Sequence, residues 1–127
     1  MTTAFRFTSK DLKRFPDIDG VRYEIIDGEL FVSRAPHWDH QYACDETVEA
    51  LKEWDRHANL GRALSGPGVI FSPENDVIPD VIWIRRDRLE GGRDSAGHLR
   101  VAPDLMVEVL SAGAANELRD RQSKLDL

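Results

Sequence analysis

Ala102-Pro103-Asp104-Leu105-Met106-Val107-Glu108-Val109-Leu110-Ser111 sets one carboxylate, Glu108, in the middle of an apolar run. The segment from Leu105 to Leu110 is short, rich in Val and Leu, and bounded by Pro103 and by Ser111 to Gly113, which predicts a strand buried on both faces. An ionised carboxylate in such a place needs compensation, from a raised pKa, a paired cation or a metal ion. Val77-Ile78-Pro79-Asp80-Val81-Ile82-Trp83-Ile84 repeats the pattern, a β-type run with one acid behind a proline. Side chains alternate with period two, so Asp80, Ile82 and Ile84 share a face, as do Asp104, Met106 and Glu108. On neighbouring strands Asp80 and Glu108 would converge on one hard cation. An all-oxygen set of that kind suits Mg²⁺ or Mn²⁺ rather than Zn²⁺.

The chain of 127 residues is expected to form a single domain, residues 1–127, with one modest core. Its 41% hydrophobic and 31% charged residues are ordinary globular material. No apolar run approaches the length of a transmembrane helix, and Met1 to Lys10 lacks the basic start and apolar centre of a signal peptide. A cytoplasmic location is therefore the expectation. The single cysteine, Cys44, excludes an internal disulfide and falls in a helical pattern, so it is expected as a buried structural thiol. A net charge of −6 argues against holding nucleic acid by bulk electrostatics, so any such partner must be met locally. The one basic concentration, Arg85, Arg86, Arg88, Arg93, His98 and Arg100, is diluted by Asp87, Glu90 and Asp94. It reads as a solvated loop or as a phosphate-contact surface.

Taken in order, Thr8-Ser9-Lys10-Asp11 resembles a capping box that opens a short helix ending before Pro16. Val21 to Ile26 and Glu29 to Ser33 flank Asp27-Gly28, the pattern of a hairpin closed by a type I′ turn. Asp39 is placed to cap a helix running to about Asn59, with Cys44, Val48, Leu51, Trp54 and Ala58 on one stripe and Gly61 as the stop. Strand-like pieces follow at Arg62 to Leu64 and Val69 to Ser72, then the Asp80 strand, a Gly-rich loop from Glu90 to His98, and the Glu108 strand. Asn116 can cap a last helix in which Asp120 and Lys124 sit one turn apart.

Tyr23-Glu24-Ile25-Ile26-Asp27-Gly28-Glu29, His40-Gln41, Pro79-Asp80, Pro103 through Ser111, and Asp120-Arg121-Gln122-Ser123-Lys124-Leu125 occur in a fixed order. From about Val21 onward this order resembles the Uma-type restriction endonucleases of the PD-(D/E)xK nuclease superfamily. The resemblance implies an α/β restriction-endonuclease-like core, a mixed central β-sheet flanked by helices, and metal-dependent hydrolysis of phosphodiester bonds in DNA. Asp80 resembles the strand aspartate of that superfamily and Glu108 the acid of its second motif, with the Val109 carbonyl as a further metal ligand. Leu110 stands where E-x-K would place lysine, and the resemblance implies that Lys124 supplies it from the following helix. Glu24 and His40 match further family positions. Relatives continue past the point corresponding to Leu127 with a tyrosine and further apolar strands, so the sheet is expected to lack its C-terminal strands here.

In this reading Asp80 and Glu108 hold Mg²⁺ or Mn²⁺, Lys124 orients the attacking water or offsets developing charge, and Glu24 holds a second ion or a metal-bound water. DNA contacts are local, with Arg85, Arg86 and Arg88 as candidates. The bland readings are a strand-edge acid for Asp80 and a salt bridge for Glu108. His37-Trp38-Asp39-His40 offers zinc-type ligands, but no His-x-His precedes it and Asp39 already has a capping role, so His40 is expected to face the cleft from the first helical turn. Trp38, Trp54 and Trp83 read as core or core-edge aromatics. The last helix offers few apolar anchors, and a homodimer is one way of fixing it. The competing function is a non-catalytic relative that keeps the fold as a structural or interaction module.

Overall fold

Asp27 and Gly28 both take positive φ, 49° and 77°, the backbone of the type I′ turn that the Asp-Gly pair implies. The turn joins β1 (Val21–Ile26) to β2 (Glu29–Arg34) in antiparallel register, with Ile26 opposite Glu29 and Val21 opposite Arg34. The computed structural model describes residues 5–34 and 37–110. Ahead of the hairpin, α1 (Ser9–Leu12) is capped as expected, the Thr8 N–H donating to Asp11 Oδ2 at 2.8 Å. The anticipated helix from Asn116, and with it Lys124, lies outside the described residues.

The long helix α2 spans Trp38–Trp54, and its cap is His37 rather than Asp39. The His37 Nδ1 accepts the Asp39 N–H at 3.1 Å, so Asp39 is a first-turn acid that favours the positive helix end. The helix stops before the expected Asn59 because Asp55 turns its carboxylate onto the N–H groups of Leu60, at 2.7 Å, and Gly61, at 3.0 Å. Those bonds, led by that of Leu60, hold the Asp55 pKa below the usual carboxylate value. Gly61 is the first residue of β3 (Gly61–Ser65), and its requirement is space: a Cβ there would lie 2.3 Å from the Ile84 carbonyl oxygen and 2.6 Å from the Trp83 ring.

The expected single strand from Val77 to Ile84 is two strands in two sheets. Pro79 has no N–H to continue a ladder, and the chain passes there from β5 (Asn75–Val77) to β6 (Val81–Arg85). With β4 (Val69–Ser72) and β7 (Leu105–Val107), the sheets have strand orders β2-β1-β5-β4 and β3-β6-β7. The class is α/β as expected, while the described strands divide between two sheets and pair antiparallel throughout. A short helix, α3 (Arg86–Leu89), follows β6, and α2 lies against β3 and β6.

One core joins the sheets: Ile26, Val69 and Val77 from the first meet Ile82 and Ile84 from the second, with Leu99 between them. Leu99 ties in by backbone bonds, donating to Gly68 O at 2.9 Å and accepting from Ile70 N at 2.8 Å. Burying each such side chain stabilises the fold by about 1.5–3 kcal/mol. Two expectations fail at the margin of this core. The Leu105 to Leu110 run is not buried on both faces: β7 has three residues, and Leu105 and Leu110 are 42% and 49% exposed. Among the described residues β7 pairs only with β6, and an edge strand has fewer neighbours to cover its side chains. Of the three tryptophans only Trp83 is buried. Trp54 meets it edge-on at 5.4 Å, and Trp38 stacks on Tyr42 in the open at 5.1 Å. Two residues along a helix turn the side chain by about 200°, so Trp38 points away from the side on which His40 packs. No helix among the described residues is long and apolar enough to cross a membrane.

Candidate active site

The register of β6 and β7 ends with Val81 opposite Val107, so the next residue on each side is Asp80 and Glu108. Neither acid lies within a strand, contrary to expectation; each sits just past the last ladder pair at the same end of the same strand pair. The ladder gives way there to a side-chain bond. The Val109 N–H donates to Asp80 Oδ2 at 2.8 Å, and on the other side the Asp80 carbonyl accepts the Gly66 N–H at 3.1 Å. Asp80 is thus held by backbone on both flanks. Glu108 is half-buried, with its Oε1 shielded from solvent.

The first turn of α2 supplies the third group. His40 Nε2 lies 3.3 Å from Asp80 Oδ2, with both side chains nearly buried at 10% and 11% exposure. One turn further along the helix, Cys44 Sγ lies 3.8 Å from His40 Nδ1. Burial first, then the charges of Asp80, Asp45 and Glu108, push the Cys44 thiol up to about 11. Cys44 is buried, as expected, but it ends a chain of polar groups that leads to Asp80.

Arg22 is a residue the sequence reading passed over. Its charge opposes the upward shift of the Cys44 thiol, and its Nη2 would lie 3.7 Å from a Cβ placed on Gly66, whose N–H bonds to Asp80. The signal was available, because period-two alternation on β1 puts Arg22 on the same face as Glu24. Glu24 itself is buried in β1 on the face that also carries Ile26 into the core. Arg85 lies at the other end of β6, roughly 16 Å from Asp80 at 3.3 Å per residue, and Arg86 and Arg88 follow it in α3. Arg88 pairs with Asp104 at 2.8 Å and Arg85 with Asp87 at 3.3 Å. Asp104 also accepts the Arg85 N–H, which is the leading reason its pKa is lowered.

The fold and the order of these groups carry the family. A family profile described as "Putative restriction endonuclease", Uma2, matches residues 9–127. The chain belongs to the Uma2 family. Among solved structures, this Uma2 protein is similar to one described as a putative nuclease from Anabaena variabilis, with a TM-score of 0.68 at 19% sequence identity. The match covers 91% of this chain and 65% of that one. At that identity the likeness shows the fold. A search of curated proteins finds no match.

As donors, the described residues offer two sets of atoms. The Asp80 and Glu108 carboxylates offer oxygen at the end of β6 and β7, while His40, Cys44 and Asp80 offer one nitrogen, one sulfur and one oxygen, all within 4.8 Å of one another. What the structure places on Asp80 at Val109 is the N–H, a donor.

Proposed function

We propose that this Uma2 protein is a metal-dependent endonuclease that hydrolyses DNA phosphodiester bonds. The observation that supports it best is that Asp80 and Glu108 stand just past the same end of the β6–β7 ladder, with His40 closing on Asp80 from α2. Asp80, Glu108 and the Val109 carbonyl are the ligands assigned to Mg²⁺ or Mn²⁺, whose oxygen preference they match. Such an ion, when bound, neutralises charge developing on the phosphoryl group and lowers the pKa of water. The chain's own groups set the stage for this. The Val109 N–H donates to Asp80 Oδ2, with His40 Nε2 3.3 Å from the same oxygen, and so orients the carboxylate before any ligand arrives. Glu24 and Lys124 keep their assigned roles, a second ion or its water for Glu24 and orientation of the attacking water for Lys124. Arg85, Arg86 and Arg88 are assigned to DNA backbone beyond the cleavage point, and Arg85 and Arg88 would exchange acidic partners for phosphate.

The test is a Mn²⁺ titration paired with nicking of supercoiled DNA. Saturable binding and nicking, both lost in Asp80→Asn and Glu108→Gln while the circular dichroism spectrum is kept, support the enzyme. A folded protein that neither binds Mn²⁺ nor nicks DNA makes it a non-catalytic module.

A further inference from the structure

We propose that His40, Cys44 and Asp80 form a binding site for a thiophilic divalent ion of the Zn²⁺ class, and that this ion and the Mg²⁺ or Mn²⁺ assigned above exclude one another because both need Asp80. His40 and Cys44 are spaced i, i+4 on α2, the spacing by which one helix face presents two metal ligands. Asp80 meets them from the start of β6, so the ligands come from two elements already packed together. One donor atom from each residue lies within 4.8 Å of the others, and His40 Nε2 to Asp80 Oδ2 is already 3.3 Å. Two N/O ligands of a tetrahedral Zn²⁺ at about 2.0 Å stand about 3.3 Å apart. Closure therefore asks the thiol to draw in toward the other two donors, with water as the fourth ligand.

The donor chemistry selects the ion. Thiolate and imidazole favour Zn²⁺ and its congeners over Mg²⁺, whereas Asp80 with Glu108 favours the harder ion. Binding is not a redox step: Sγ forms a bond to the ion as its S–H bond breaks and the thiol proton leaves to solvent, while the neutral imidazole gives its Nε2 lone pair and keeps its one ring proton on Nδ1. The three side chains are buried or nearly so, which separates them from acidic clusters that merely share a surface. Binding by this set stands apart from the nuclease reading. Only its consequence, inhibition of cleavage through withdrawal of Asp80, rests on that reading.

Co²⁺ replaces Zn²⁺ as the probe, added to the full chain under reducing, anaerobic conditions. One equivalent should bring a thiolate-to-cobalt charge-transfer band in the near ultraviolet together with visible bands of tetrahedral intensity, and one equivalent of Zn²⁺ should bleach both. Cys44→Ala and Asp80→Ala should weaken Co²⁺ binding by more than about 100-fold, beyond what loss of an outer-shell group costs. Glu108→Gln should bind Co²⁺ as the parent does. Zn²⁺ should also release bound Mn²⁺, read by the return of the free-ion electron paramagnetic resonance signal. A wild-type Co²⁺ spectrum without the charge-transfer band overturns the site and needs no variant to fold. Equal affinity in a folded Cys44→Ala variant overturns it as well. A thiolate band with no Mn²⁺ binding leaves this site standing and removes the Mg²⁺ site, while Mn²⁺ binding without the band does the reverse.

Discussion

Replacing Asp80 separates its structural work from its proposed role as a metal ligand. The carboxylate is 11% exposed, accepts the Val109 N–H at 2.8 Å and faces His40 Nε2 at 3.3 Å. In Asp80→Ala the Val109 N–H loses its acceptor, and an orphaned buried N–H costs about 1–3 kcal/mol. At about 4 °C per kcal/mol for a domain of this size, the variant should melt about 4–12 °C below the parent without metal. Asp80→Asn keeps a carbonyl oxygen for Val109 and loses a negative charge opposite Glu108, so its metal-free melting temperature should stay within about 4 °C of the parent. Added Mn²⁺ reverses the comparison. At 100 times its Kd a ligand stabilises by about 2.7 kcal/mol, which should raise the parent by about 10 °C and neither variant. Calorimetry with and without Mn²⁺ measures all of this. An Asp80→Ala variant as stable as the parent would show that the carboxylate does not hold Val109, and a Mn²⁺ shift surviving in Asp80→Asn would remove Asp80 from the ligand set.

Gly61→Ala should lower stability by about 3 kcal/mol or more in urea unfolding, because its Cβ would meet the Ile84 carbonyl at 2.3 Å and overpacking against backbone has little room to relax. Asp94 accepts N–H groups of His98 and Ala96 and the Arg100 guanidinium, and the first of these leads in holding its pKa at about 2, below the ordinary 3.8. A depressed folded pKa gives stability that is present above 3.8 and lost as pH falls toward 2, so the protection of the His98 amide, measured against its intrinsic exchange rate at each pH, should fall across that window and Asp94→Asn should remove the pH dependence. Cys44, buried and with its thiol raised to about 11, should resist a disulfide reagent at neutral pH until the chain unfolds. Ile82→Ala should cost about 2–5 kcal/mol, measured by denaturant unfolding, since Ile82 is fully buried where the two sheets meet.

The hairpin was legible because Asp27-Gly28 is local chemistry: one dipeptide dictates two positive φ values whatever surrounds it. The likeness of the Asp80 and Glu108 runs was legible for a different reason, since each sets one acid behind a proline in a β-type run, and β6 and β7 prove to be neighbours. The strand boundaries were not. Pro79 was read as a preface to a strand, when a missing N–H could equally end one, and only the packing of β5 into the other sheet decides between them. The His37 cap was hidden because a ring nitrogen accepting an N–H has no strong sequence signature beside an adjacent Asp39. Cys44 was placed correctly in the interior, yet its neighbour one turn away was weighed only for histidine-histidine spacings, which hid the mixed ligand set. Arg22 shows the limit most plainly: alternation gives its face, while proximity to Gly66 is a contact between segments far apart in sequence.

That separation also bears on how the chain folds. Arg22, His40 with Cys44, Asp80, and Val109 come from four widely spaced segments, and they meet only when both sheets and α2 are in place. Closing such loops is a late event, for the entropy of bringing distant segments together is lost before their contacts reward it. An ion held by His40, Cys44 and Asp80 would have little to grip in the folding transition state. Its stabilisation should therefore appear almost wholly as slower unfolding, with the refolding arm of the chevron unmoved, so that the centre acts as a latch on a finished structure and not as a nucleus for building it.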